Sequence, residues 1–197
     1  MRQFVVVGHD APTTPDFSLD NLPGAGRLDA LSRAVTASFL LSHGIREDVR
    51  TWLVLADEYT LRFEGSELRN LNPDERSTAA LVRTALEERE EAIGHVPVET
   101  TPGVYLSRRD FDATLDRAAE DGTVVQLHED GDPIVEAEPP ADPVFVLSDH
   151  GDFTEREASL LAERAQARVR LGPLPLHGEQ AITVAHNFLD TDGYSSY

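Results

Sequence analysis

The sequence predicts an α/β fold: a largely parallel sheet with flanking helices and an antiparallel hairpin extension. Three observations predict it. Short apolar runs of strand length recur at residues 4–7, 123–127, 144–147 and 167–171, and amphipathic helical stretches lie between them. Two strand-like runs within residues 51–65, separated by only three residues, read as a hairpin. No run of about 18 apolar residues occurs, so these elements must bury their apolar faces against each other rather than in lipid.

The elements follow in chain order. Residues 4–7 (FVVV), closed by Gly8, form a strand buried on both faces. Residues 9–26 contain Pro12, Pro15, Pro23, Gly24 and Gly26, a loop too long to be a mere connector and therefore expected to be functional. Leu28, Leu31, Val35 and Phe39 recur at helical spacing, and Gly44 supplies a stop, which predicts a helix over about 28–43. TWLVL at 51–55 and YTLRFEG at 59–65 are the hairpin strands, joined by Ala56, Asp57 and Glu58. Asn72 reads as a capping residue ahead of Pro73, Asp74 and Glu75, with the helix running to about 93 and its EEREE segment forming a solvated face.

Beyond residues 95–103, which carry Pro97 and Pro102, residues 110–121 read as a helix and 123–127 as a strand. The acidic, proline-rich stretch 129–143 is expected to be a solvated loop within one domain of residues 1–197. Residues 144–147 return as a strand, and Thr154 opens a helix with Glu155 and Glu157 in its first turn. A strand at 167–171 and a last helix opened by His177 complete the alternation.

Composition removes several chemistries. With no cysteine, the chain forms no disulfide, thiolate zinc site or cysteine nucleophile. Its histidines show no pair at helical metal-ligand spacing, no HExxH helix or Walker loop occurs, and Gly24 with Gly26 is only a GxG turn rather than a dinucleotide fingerprint. No metal is therefore expected. The start RQFVVVGH is strand-like and unlike a secretion signal, so a cytoplasmic protein without membrane attachment is expected.

Acids outnumber bases by 36 to 17, giving a net charge of -19, and every basic residue is arginine because no lysine occurs. Such a surface repels itself in dilute buffer, but at about 1 M salt the screening length falls to about 3 Å, so the balance suits a salty cytoplasm. Phosphate attraction is weakened by the same salt. An RNA partner would then be read through shape, stacking and hydrogen bonds to a splayed base, work that the planar guanidinium does better than an ammonium.

The most informative segment is residues 169–190, VRLGPLPLHGEQAITVAHNFLD, a strand, a bend bracketed by glycine and proline, and a helix. In the bend, Leu171, Gly172, Pro173, Leu174, Pro175 and Leu176 offer apolar side chains and main-chain polar groups but no carboxylate or hydroxyl. A flat, weakly charged group such as adenine suits that lining better than phosphate does.

Together with Leu127 at the end of TVVQL, the stretch VFVLSDHGDF at 144–153 and GRLDALSRA at 26–34, this tail resembles the SPOUT methyltransferases. Nearly the whole chain is similar to their archaeal branch, which methylates N1 of pseudouridine 54 in the tRNA T-loop. The resemblance implies S-adenosylmethionine as cofactor, tRNA as substrate, a homodimer, and a last helix that threads a loop to make a trefoil knot. Knots are rare enough that only a family likeness predicts one. Cofactor contacts implied for this chain are Leu127, Gly151, Leu171, Gly172, Pro173, Leu174, Pro175, Leu176 and Ala181, largely through backbone. Gly151 lets the main chain approach closely. Relatives often carry cysteine near position 181, where alanine stands here.

Methyl transfer from a sulfonium is an in-line displacement, so the enzyme must hold the nucleophilic nitrogen about 3 Å from the methyl carbon. N1 of pseudouridine also loses a proton, which a carboxylate or a polarising group assists. The GRLD motif makes Asp29 the first candidate for the base or the group that orients it, and Arg27 the candidate for a phosphate or a uracil carbonyl. An ion pair from Asp29 to Arg33 at i,i+4 spacing explains the same acid equally simply. Asp10 and Asp20 are reserve carboxylates, and His177 is either a site residue or a plain helix start. Arg33, Arg108 and Arg109 are candidate RNA contacts. Two rival readings stay open: another RNA methyltransferase of the class, acting on an rRNA base or a ribose 2′-hydroxyl, and a non-catalytic RNA-binding factor.

Overall fold

Ten strands and five helices alternate in the computed structural model, which describes residues 1–69 and 71–197. Eight strands make one sheet. In chain order they are β1 (Arg2–Gly8), β4 (Val49–Leu55), β5 (Tyr59–Glu64), β6 (Val98–Thr101), β7 (Val104–Ser107), β8 (Thr123–Pro133), β9 (Pro143–Ser148) and β10 (Ala167–Arg170). Two-residue strands β2 (Leu40–Leu41) and β3 (Gly44–Ile45) pair only with each other. The helices are α1 (Leu28–Phe39), α2 (Glu75–Glu87), α3 (Phe111–Ala119), α4 (Glu155–Arg164) and α5 (Gly178–Asp190).

Spatial order in the sheet is β10-β8-β9-β1-β4-β5-β7-β6. Pairings from β10 through β4 are parallel and those from β4 through β6 antiparallel. The side chains of β1 show how the sheet is held. Phe4 and Val6 face a core with Leu31 and Val35 of α1, Val82 of α2 and Phe188 of α5, whereas Val5 and Val7 face Phe111 and Leu115 of α3 and Leu161 of α4. Strand periodicity thus splits one apolar run between two helix layers. Gln3 ties the layers polarly, taking the Trp52 Nε1–H at 2.8 Å and donating to the Ala118 carbonyl at 3.3 Å.

Topology fixes where a cleft must form. β1 leads through α1 to β4 on one side, and β9 leads through α4 to β10 on the other, so the winding reverses between β1 and β9. Open α/β sheets gape beyond the carboxyl ends of their strands at such a reversal. Beside it the β8–β10 pairing slips: Arg168 opposes Gln126 but Val169 opposes Asp132, so residues 127–131 swing out of register. Gly131 then rests against the Val169 backbone, where an added Cβ would come within 2.5 Å of the carbonyl carbon.

Several boundaries differ from the sequence expectation for physical reasons. The α2 cap is Asp74, whose side chain accepts from the Ser77 N–H, and α2 stops at Glu87 because the acidic run after it makes turns. α1 ends at Phe39, and the chain immediately makes the β2–β3 turn. Residues 98–107 form a second antiparallel pair, β6–β7, around Gly103 at φ 78. The hairpin extension is therefore wider than expected. The acidic stretch after residue 128 is only partly a loop, since β8 runs to Pro133 and Ile134 is buried.

Candidate functional site

At the winding reversal lies a cleft of about 390 Å³, within the range of small-molecule sites. Strand ends supply its floor: Leu127 from β8, Leu147 and Ser148 from β9, and Val169 and Arg170 from β10. The bend after β10 and the start of α5 form one wall, with Leu171, Gly172, Leu174, Pro175, Leu176 and Ala181 all facing it. Gly151 lies opposite. Of the cofactor contacts expected from sequence, Pro173 alone is outside this lining. Apolar side chains and glycine backbone dominate the wall, the donor set that a neutral heteroaromatic ring and an aliphatic chain require.

The third wall comes from the turn into α1. Gly26 and Arg27 both take left-handed backbone, φ 59 and φ 57, and the Gly26 α-carbon lies so close to the Asp10 carbonyl that no Cβ fits. This kink brings Arg27 back over Asp29, whose two oxygens accept from Nε at 3.0 Å and from a terminal guanidinium nitrogen at 3.1 Å. Arg33 reaches the same carboxylate at 3.2 Å and also holds Glu75 at 2.7 Å and Glu179 at 3.3 Å, joining α1 to α2 and α5. Arg27 and Arg33 line the cleft, and Asp29 is buried behind them. The Arg27 guanidinium holds the Asp29 carboxyl below the usual carboxylate range despite burial. Such an acid orients a guanidinium well and accepts a proton poorly.

Sequence reasoning singled out the SDHGD stretch but missed what it joins. His9 follows the end of β1, and its ring Nδ1 lies 3.1 Å from Asp149 while Nε2 lies 2.9 Å from Glu157. Asp149 also accepts the His9 N–H at 2.9 Å and the Gly151 N–H at 2.9 Å, with His150 at 3.6 Å. Glu157 closes a capping box with Thr154 at the start of α4. Burial works against charge at His9, but its hydrogen bonds to Glu157 and Asp149 outweigh burial and raise its pKa. Asp149 and Glu157 are held low against the same burial, by the Gly151 amide and the His9 ring respectively. A polar residue just past the end of one parallel strand neighbours its counterpart past the next, so the signal was the adjacency of β1 and β9.

Other candidates lie elsewhere. Arg108 donates to the Tyr59 hydroxyl at 2.7 Å and lines a shallower depression edged by Asp57, Asp110 and Asp116, and Arg109 donates to the His95 carbonyl at 2.8 Å. They are not brought to the cleft. Asp20 pairs with Arg76, and Asp10 meets Gly26 through its carbonyl. His177 caps α5, its N–H held by Gln180 at 3.1 Å, and also lines the cleft. Among the described residues no group of three potential ligands has metal-holding geometry, and no helix is long and apolar enough to cross a membrane.

The sequence profile of the family described as "Putative SAM-dependent RNA methyltransferase" matches residues 1–194. A Haloarcula marismortui protein named tRNA (pseudouridine(54)-N(1))-methyltransferase is 71% identical, and one of the same name from Haloferax volcanii is 69% identical, each alignment covering 100% of both chains. A namesake from Methanocella arvoryzae is 44% identical over 94% of this chain and 97% of its own. Among solved structures, Nep1 of Archaeoglobus fulgidus bound to S-adenosylhomocysteine superposes with a TM-score of 0.66, covering 95% of this chain and 98% of its own at 14% identity. That likeness is one of fold.

Proposed function

This chain belongs to the S-adenosylmethionine-dependent RNA methyltransferase family, and from that premise we propose that it methylates N1 of pseudouridine 54 in tRNA. The observation that carries the reading is identity of 71% along the full length of a relative bearing that name, with no segment of either chain left over. The cleft supports the cofactor: a wall of leucines, proline and glycine backbone without a side-chain carboxylate between 171 and 176 fits adenosine and a methionine chain. When bound, the cofactor supplies a methyl group on a positively charged sulfur.

The chain's own residues then have separable tasks. Leu127, Leu171, Leu174, Leu176 and Ala181 shed water from the donor, while Gly172 presents main-chain hydrogen-bonding groups and Gly151, its N–H held by Asp149, lets the backbone approach closely. Pro173 and Pro175 keep the bend in shape before donor arrives. Ala181 replaces any thiol contact with plain packing. Asp29 fixes Arg27 through two hydrogen bonds, so the guanidinium meets the uracil ring without reorganising. Polarising a ring carbonyl in this way makes the N1 proton more acidic, so that it would pass to solvent when N1 takes the methyl group and the carbon–sulfur bond to the donor breaks. Arg33 offers a phosphate contact at the mouth, and Arg108 and Arg109 offer a second one farther along the tRNA.

Finer features belong to the same proposal. The chain works as one domain and as a homodimer, the assembly that the family likeness implies. A C-terminal knot, with the last helix threading a loop, belongs to the same proposal and rests on the family likeness alone. The working compartment is the cytoplasm, at high salt. Incubation with labelled donor and two T-loop RNAs, one with pseudouridine and one with uridine at the target, tests the chemistry. Label should enter only the pseudouridine RNA; equal labelling rejects N1 transfer, and absence of donor binding rejects the enzyme.

A further inference from the structure

Both ring nitrogens of His9 face carboxylate oxygens, Asp149 at 3.1 Å and Glu157 at 2.9 Å. An ionised carboxylate only accepts hydrogen bonds, so the two contacts can both be satisfied only when both ring nitrogens carry protons. Asp149 has a side chain with no solvent exposure and Glu157 one with only 6%, so neither can turn to water if His9 lets go. With its remaining capacity Asp149 holds the His9 N–H and the Gly151 N–H, each at 2.9 Å, the latter in the loop between β9 and α4 that forms one wall of the cleft. The Ser148 hydroxyl closes that loop onto the Gly151 carbonyl.

We infer that His9 is a positioning residue for donor binding: as an imidazolium bridging Asp149 and Glu157, it fixes the β9–α4 loop so that Gly151 is preorganised at the cleft. This rests on the cleft being the donor site. Neutral His9 surrenders one of its two contacts and leaves a buried carboxylate short of a partner. The loop then relaxes, and donor affinity falls while the groups that meet the RNA stay in place. His9 is faced by Asp149 from the β9–α4 loop and Glu157 from α4, and His150 lies 3.6 Å from the same Asp149. The Arg27 charge, from the turn into α1, also reaches Asp149. Asp10 follows His9 in the chain. The two carboxylates raise the pKa of His9 against its burial, the same sense as the bridging geometry.

The sign is definite. A base whose folded pKa lies above its usual 6.5 contributes fully below that value and loses its contribution as pH rises through the folded pKa. Calorimetric titration with S-adenosylhomocysteine, in molar salt from about pH 6 to about pH 10, reads this directly. Wild-type affinity should fall roughly tenfold more across the alkaline limb than that of His9→Arg, whose two-donor cation does not titrate there. The probe's own amine ionises alike in both, so the difference isolates His9. His9→Gln should bind weakly with no such limb, and its KM for donor should rise far more than its kcat falls.

Parallel wild-type and His9→Arg profiles overturn the inference, as does undiminished affinity in His9→Gln. Nuclear magnetic resonance of wild-type His9 gives a test independent of any variant's folding, because a neutral ring at pH about 7 also refutes it. Wild-type protein that binds no probe at any pH overturns the donor site itself, a result distinguishable from flat but tight binding.

Discussion

At the scale of single residues, Asp29 shows how geometry chooses between roles that spacing leaves open. The GRLD motif and the i,i+4 relation to Arg33 pointed to a base, an orienting group or an ion pair. Two arginines occupy both Asp29 oxygens, and its pKa is lowered. Orienting Arg27 is the role that combination serves. Asp29→Asn should therefore keep donor affinity and lower kcat/KM by roughly tenfold to a hundredfold, a loss of about 1.4 to 3 kcal/mol in transition-state stabilisation. Single-turnover kinetics beside donor titration checks it; weakened donor binding with unchanged chemistry would assign the pair to the cofactor.

His186 carries the second residue-scale prediction. It is buried, with Nε2 at 3.0 Å from the Ser38 carbonyl and Nδ1 at 3.3 Å from Arg2. Burial, then the charge of Arg46, depresses its pKa to about 4, so the folded ring is neutral. A base depressed on folding stabilises the fold fully above its usual 6.5 and loses that contribution as pH falls toward about 4, because the unfolded chain gains the proton first. The loss is of order 3 kcal/mol at most. Urea denaturation at pH about 7 and about 5 should show wild type losing more stability than His186→Gln; equal losses would mean the ring protonates in place.

Elements were legible where one physical signal dominated. The apolar runs at β1, the start of β8 and β9 announced themselves because strands buried on both faces need continuous apolar sequence, whereas β10, an exposed edge strand reading ARVR, was legible from the alternation of elements. β6 and β7 did not, since β6 is a half-exposed edge strand whose VETT sequence carries little apolar pattern. Asn72 reads as the cap ahead of Pro73, and only the observed bond from the Ser77 N–H gives that part to Asp74 instead. In the cleft, the bend and Gly151 were readable from composition and likeness. The His9 clamp was not, because its members are 140 and 148 residues apart and meet only through strand order.

A test at the element scale follows from the slip between β8 and β10. Gly131 touches the N, Cα and C atoms of Val169, each within 2.6 Å of an added Cβ. Backbone cannot rotate away as a side chain can. Gly131→Ala should thus separate β8 from β10, cost about 2 kcal/mol or more, and weaken donor binding by opening the cleft between Leu127 and Leu171. Gly172→Ala is the contrast, because a Cβ there meets nothing nearer than 4.0 Å. Thermal melts of the two variants should differ by several degrees; matching melts would show that β8 and β10 part without strain.

At the scale of the whole molecule, charge sets the condition under which every smaller-scale statement holds. A net -19 on 197 residues has a radius of gyration of roughly 16 Å to spread over, and continuum electrostatics puts the self-repulsion at roughly 20 kcal/mol in 0.01 M salt and roughly 5 kcal/mol in 1 M. Unfolding relieves part of that, so salt should stabilise the native state by several kcal/mol. Ion pairs pull the other way, since salt screens attraction too. Their spacing decides the contest: pairs such as Arg33–Glu75 at 2.7 Å and Arg164–Asp116 at 2.7 Å sit inside the screening length of about 3 Å at 1 M, whereas repulsion acts across the molecule and is screened away. Exposed pairs also contribute little individually, about 0 to 1 kcal/mol. The melting temperature should therefore rise by roughly 10 °C or more between about 0.05 M and about 2 M potassium chloride. Scanning calorimetry across that series checks the claim, and a melting temperature that falls with salt would mean the arginine–carboxylate pairs, not the excess acids, govern stability.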